Sequence, residues 1–353
     1  MRGNSSSSSR GRASRGKGGG NDEVRQAVTD RMVAALEAGV VPWQKPWIPG
    51  GRPRSLSTGR HYQGINTWLL AMTSMERGYT SPWWGTFRQI QELGGNVKKG
   101  QNQAEGTGST KITLWRSFVP KDAEPDPITG KVREVVMARM IPVFNAHQCE
   151  NLPDKYYPQP DAEPQSIAEP QAVLDSYIGS ANAAALEHDV LGQAYYNPAT
   201  DEIHMPPMKG HKSPEHYYST AFHEVSHSTG HESRLNRPGV AENTAENTFG
   251  QHGYGVEELA AQMGASFLLA ETGIDTDEVM DNSAAYLGSW IKTIKEDNKI
   301  VIAAASQAQA IADHVLEPAR QAQREAAREA VSAAEPLARA EPVQAREPEM
   351  EAV

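Results

Sequence analysis

One cysteine, Cys149, stands in 353 residues. No internal disulfide can form, which excludes small disulfide-stapled scaffolds and fits a reducing cytosol. No apolar run approaches the roughly 20 residues that a membrane span needs. The first 20 residues, MRGNSSSSSRGRASRGKGGG, carry five Lys or Arg and no acid. They lack the apolar stretch of a secretory signal. Aromatic residues are also scarce at 7%, and they are unevenly placed. A cytoplasmic protein with no membrane partner is expected.

What is present divides in two. Residues 1–150 hold 21 basic and 12 acidic side chains, and the remainder hold 13 and 32. Such asymmetry points to parts with different partners. Residues 1–21 read as a basic tail that cannot build a core. Val24, Val28, Met32, Leu36 and Val40 then recur every four residues, and Gly39 and Pro42 supply a stop; this spacing predicts an amphipathic helix. Further helices are expected at 66–77 and 87–93, and strands at 112–119 and 132–144 on β-branched and aromatic content. Residues 153–170 carry five prolines and four acids and read as a linker. A helix-rich domain follows over 171–316. Residues 317–353, with eleven Ala, eight Glu and no aromatic residue, read as a disordered tail. The composition predicts an α+β fold of two domains, 22–152 and 171–316.

The sharpest motif is AFHEVSHSTGH at 221–231. Ser213 suits an N-cap, Pro214 the first helical position, and Glu215 the positive end of the helix dipole. Gly230 is read as the stop. His223 and His227 then lie four apart on one face, where two imidazoles reach one tetrahedral Zn2+. Glu224 is placed to accept a proton from water acidified by that metal. For the third ligand, a metzincin pattern would require histidine where Ser233 stands, and His231 falls beyond the expected stop. A glutamate from a later helix completes a His2Glu site instead. Helical geometry permits Glu257 or Glu258. Glu258 is chosen because small Ala261 follows at +3, and Gln262 at +4 offers an amide to orient a ligating histidine. The segment AYYNPATDEIHMPP before this helix reads as an edge strand able to align an extended substrate.

Six of seven tryptophans lie between 43 and 115, interleaved with Lys and Arg. Aromatic faces that stack on bases, with cations tracking phosphates, are how single strands are held. The candidate DNA-binding set is Trp43, Lys45, Trp47, Arg52, Arg54, Arg60, Tyr62, Trp83, Trp84, Arg88, Lys98 and Lys99. The competing reading, that tryptophans are core, is assigned to Trp68.

The runs VTDRMVAALEAGVVPWQKPW, TGRHYQGINTWLL, FRQIQELGGNVKKG and IPVFNAHQCENLP resemble the ArdC antirestriction family. So do FHEVSHSTGHESRLNR, YGVEELAAQMGASFL and SWIKTIKEDNK in the second half. The resemblance covers about residues 22–316. It implies an N-terminal single-stranded-DNA-binding domain joined to a zincin-like, gluzincin-type metallopeptidase domain, in proteins of plasmids and phages that protect DNA from restriction. On it, His223 and His227 match the metal histidines, Glu224 the catalytic glutamate, and Glu257 and Glu258 the paired glutamates. Gln262 departs from the family's usual acid, and QNQAEGTGST after Gly100 is an insertion. The expected partners are single-stranded DNA and a possible protein substrate. The rival readings are a protease recruited by DNA to a restriction or host protein, and a DNA-binding protein with a structural zinc.

Overall fold

The computed structural model describes residues 19–44, 51–100, 108–121, 123–124, 132, 134–157, 169–190, 192–240, 252–275, 279 and 284–334, with backbone alone at 19, 252–254, 284–286 and 331–334. Helix α1 (Gly19–Glu37) buries Val24, Val28, Met32 and Leu36 along the face that the four-residue spacing marks. Strand β1 (Arg54–Ser55) leads to α2 (Ile65–Arg77). Gly78 ends α2 in the left-handed region at φ 65°, where a side chain would be strained. Tyr79 N then donates back to Ser74 O at 2.9 Å.

Strand β2 (Trp83–Gly85) runs into α3 (Phe87–Glu92), which Thr86 and Gln89 close with a capping box. Short β3 (Asn96–Val97) pairs with β6 (Cys149–Glu150). Between them, β4 (Thr110–Phe118) and β5 (Val135–Asn145) form a long antiparallel ribbon, from Thr110 opposite Val143 out to Phe118 opposite Val135. The N-terminal sheet has the order β1-β2-β5-β4.

The second half opens with α4 (Pro170–Ile178) and a three-stranded sheet of order β7-β9-β8. Its strands are β7 (Ala185–Glu187), β8 (Tyr195–Asn197) and β9 (Glu202–His204). Helices α5 (Pro214–Ser228), α6 (His252–Glu271), α7 (Ala284–Glu296) and α8 (Ile300–Ala334) complete it. The fold is α+β in two domains, as composition predicts.

Residues 158–168 of the segment read as a linker lie outside the described residues. One hydrophobic core runs through both domains. Trp68 packs on Phe267 with ring centroids 4.4 Å apart, and Trp43 meets Trp290 edge-on at 6.2 Å. Burying side chains of this size contributes more than any other contact type, roughly 25 cal/mol per Å2 of apolar surface.

Packing of the first domain also continues beyond residue 152. Tyr156, in the segment read as linker, is buried against Leu56, Ile90 and Cys149. At the other end, α8 carries helix through Pro318 to Ala334, into the segment read as a disordered tail. Alanine, glutamine, arginine and glutamate are strong helix formers, and the Arg320–Asp313 and Arg324–Glu317 pairs bracket the proline.

Candidate metal centre and nucleic-acid interface

Helix α5 is built as its motif requires. Ser213 Oγ accepts from His216 N at 3.4 Å, and Pro214 occupies the first turn. Tyr217, Ala221, Phe222 and Val225 face the core. Residues 223, 224 and 227 turn the other way and line a cleft of about 560 Å3 together with Glu257 and Glu258. Gly230 differs from its expected role, since it does not adopt a positive φ. It is small because Val240 and Arg237 crowd it: a Cβ there would lie 2.4 Å from Val240 Cγ2.

His223 Nε2 and His227 Nε2 converge to 3.0 Å. Glu258, from α6, brings Oε1 to 3.4 Å from His223 Nε2 and Oε2 to 3.5 Å from His227 Nε2. Tetrahedral ligands at the Zn–N length of 2.0–2.1 Å stand about 3.3 Å apart. The three donors therefore fit one small divalent cation, and they form the metal-competent cluster found among the described residues. His231 is not in it; its Nδ1 turns to Ser233 Oγ at 2.8 Å.

Glu257 does what Gln262 was expected to do. Its Oε2 accepts from His227 Nδ1 at 2.6 Å, while its Oε1 accepts from Arg237 Nη2 at 2.7 Å. Arg237 is itself held by Ser226 O at 2.9 Å and Thr229 Oγ1 at 3.0 Å, so the end of α5 and the start of α6 are clamped together. Gln262 makes no hydrogen bond to either histidine among the described residues, and His223 Nδ1 is buried without a partner.

Arg234 pins the same helix end to the sheet through Ser228 O at 2.7 Å and an ion pair with Asp201. These roles were invisible in the sequence, because both arginines lie beyond the motif on an irregular segment.

The electrostatics favour a cation. Burial opposes charge on His227, but Glu257 and Glu258 outweigh it and push the pKa up to about 10. Burial likewise works against ionised Glu258, yet His223 and then His227 hold its pKa at about 2. Two imidazoles ringed by carboxylates Glu224, Glu257 and Glu258 have an excess of negative charge that a divalent ion neutralises.

The nucleic-acid candidates separate by burial. Trp43 is 1% exposed and Trp84 0% exposed, so neither can stack on a base. Arg52, 7% exposed, is spent inside the molecule on Gln309, Glu271 and Tyr62 O. Composition marks these three as a surface platform; their packing makes them core. Half-buried Tyr62 turns its hydroxyl to Trp84 O at 3.5 Å, and burial pushes its pKa up to about 12.

Arg54 stays near the surface, its guanidinium 5.9 Å from the centre of the half-exposed Trp83 ring, and Arg60 beyond it is exposed. Arg88 is exposed but paired with Glu92 at 2.8 Å. Lys98 donates to His147 O at 2.9 Å, and Lys99 is exposed. Lys45 and Trp47 lie outside the described residues.

Known proteins share this arrangement. Residues 22–146 match the family described as the N-terminal domain of anti-restriction factor ArdC, and residues 174–307 match a zincin-like metallopeptidase family. The crystal structure of the antirestriction ArdC protein from plasmid R388, in metal-free form, is 36% identical with a TM-score of 0.64. It covers 85% of this chain and 98% of that one. The Mn(II)-bound form of the same protein gives 34% and 0.65, over 84% and 98%. A DNA primase TraC of Escherichia coli is 35% identical over 309 residues, which is 82% of this chain but 27% of the primase. The chain thus spans about a quarter of that curated relative. An ArdC N-terminal domain packed on a zincin-like domain, matched nearly end to end by a solved structure, places this chain in the ArdC-like antirestriction family.

Proposed function

We propose that this chain is a cytoplasmic antirestriction protein that binds single-stranded DNA through its N-terminal domain and holds zinc on His223, His227 and Glu258. The observation that carries the metal assignment is the near-equal spacing of the three donors, with Glu224 lining the same cleft. The relative from plasmid R388 has been seen with Mn(II). A set of two imidazoles and one carboxylate suits zinc and leaves a position open for chemistry, unlike the closed four-ligand sites that serve structure alone.

When bound, such an ion supplies Lewis acidity, which lowers the pKa of water and polarises a carbonyl. Glu224 takes the proton from the attacking water and passes it to the departing amine. Glu257 and Arg237 keep the His227 ring in one orientation. Strand β8 is an edge strand, and Tyr195, Tyr196 and Pro198 on and beside it line the cleft. Its free backbone groups can pair with an extended peptide, which favours a protein substrate over a purely structural ion.

Two measurements test this. Metal analysis of protein purified without added ions should return one zinc per chain, and none from His223→Ala. Titration with labelled oligothymidine and with duplex should show tighter binding of the single strand that weakens as salt rises. Absence of both metal and DNA affinity would sink the proposal.

A further inference from the structure

The ribbon formed by β4 and β5 projects beyond the sheet that anchors it. Near its base, Ile112 and Val143 pack into a cluster with Leu70, Tyr79 and Trp84. Towards the tip, one of its faces is exposed among the described residues. Strand alternation puts Leu114, Arg116 and Phe118 on that face, opposite Arg139, Met137 and Val135 in register. Phe118 is 43% exposed, Met137 40% and Val135 38%. Both arginines are exposed and pair with no carboxylate among the described residues. The two strands, TKITLWRSF and VVMARMIPVFN, contain three cations and no acid.

The free edges of this ribbon are partly occupied, at residues 136, 138 and 113. On β5, Asn21 Oδ1 accepts from Ala138 N at 2.7 Å and Asn21 Nδ2 donates to Val136 O at 2.8 Å. On β4, Asn66 does the same to Thr113, accepting from its N–H and donating to its carbonyl, both at 2.8 Å. Each amide imitates one residue of a neighbouring strand, which blunts strand addition by another protein. The opposite face is partly covered as well, since the Arg25 guanidinium sits 5.4 Å from the centre of the Trp115 ring. The face of Phe118 is left as an exposed apolar surface crossed by two diagonal guanidinium groups.

We infer that this face, through Phe118, Arg116 and Arg139, is a binding surface for single-stranded nucleic acid. The inference rests on the DNA-binding reading above and gives it a location distinct from Arg54 and Trp83. The chemistry matches a single strand. An exposed ring stacks on a base whatever its sequence, and flanking guanidinium groups take the phosphates on either side. Diagonal partners on an antiparallel pair lie roughly 7–8 Å apart, so the two arginines can engage separate phosphates. A duplex offers no unstacked base to Phe118.

The test is anisotropy with a labelled oligothymidine, at several salt concentrations, on the full chain. Phe118→Ala should weaken binding roughly five- to hundredfold. The double variant Arg116→Ala/Arg139→Ala should make the slope of log K against log salt shallower by about 1.4, since each phosphate contact on a single strand contributes about 0.7. All three side chains are exposed, so an unchanged thermal midpoint shows that the fold is intact. If the wild type binds and both variants keep its affinity and slope, the inference is overturned, and the ribbon is left to a protein partner. If the wild type itself does not bind, the DNA reading fails and takes the inference with it.

Discussion

His227 donates its Nδ1–H to Glu257 at 2.6 Å, which turns the ring's other nitrogen toward His223 and Glu258 as the atom that would bind a metal. That bond fixes tautomer and orientation together. Glu257→Gln keeps an oxygen acceptor but removes the charge shared with Arg237. It should lower metal affinity about 10–100-fold in a chelator competition, with helical content retained. Affinity equal to the wild type would show that Glu257 only fills space.

Glu224→Gln separates chemistry from binding. The variant should hold as much metal as the wild type while peptide hydrolysis falls by about 10²–10⁴-fold, the usual contribution of a general base. Equal hydrolysis by the two proteins would remove Glu224 from the mechanism.

Removing the metal should lower the thermal midpoint. At a free-ion concentration 100 times Kd, binding stabilises by about 2.7 kcal/mol, which is roughly 4 °C for a chain of this length. His223→Ala should melt at one temperature with or without chelator. A chelator-sensitive midpoint in that variant would mean the ion sits elsewhere.

The shared core makes a further demand. Trp68→Ala opens a cavity between α2 and α6 and should cost about 3–5 kcal/mol. Because Trp68 touches both domains, calorimetry should show the whole transition moving down as one. Two resolved transitions, only one of them shifted, would contradict a single cooperative unit.

His61 provides an acid-sensitive component. Burial, then the charges of Arg54 and Arg52, lower its pKa from the ordinary value to about 4. Between about pH 4 and the ordinary 6.5, the unfolded chain therefore binds more protons than the folded one. This contribution is complete above pH 6.5 and is lost as pH falls to about 4. His61→Gln should flatten the fall of the urea midpoint across that window, and an unchanged pH profile would exclude this source.

His223 and His227 were legible as a pair because an α-helix converts a four-residue spacing into a shared face, and a later glutamate followed from the chemistry of His2Glu sites. The choice of Glu258 over Glu257 leaned on Gln262, whose expected role Glu257 fills. The orienting partner was not legible. Glu257 and Gln262 lie on the same helix, and only the crossing of α5 and α6 decides which of them reaches a histidine. Three of the nucleic-acid candidates are buried for a different reason. Trp43, Trp84 and Arg52 carry the right chemistry, but the burial of Trp43 and Arg52 depends on α6, α7 and α8 more than 200 residues away. That of Trp84 depends on Leu70, Tyr79, Ile112 and Val143 from separate elements of its own domain. Local composition records neither. The β4–β5 ribbon was recognisable as strands, yet its uncovered face was not, because the run Val135–Val136–Met137 resembles an ordinary buried strand.

Helix α1 completes its packing only against the far end of the chain: Thr29 Oγ1 donates to Asn298 O across 269 residues. During synthesis at about 5–20 residues per second, that separation means roughly 13–54 s between the two halves of one contact. For most of that interval Trp43 and Trp68 are without Trp290 and Phe267, the rings they pack against in the finished chain. The nascent chain is thus exposed to misassociation until α6 to α8 emerge, and its yield should respond to chaperone supply more steeply than that of two independently folding domains.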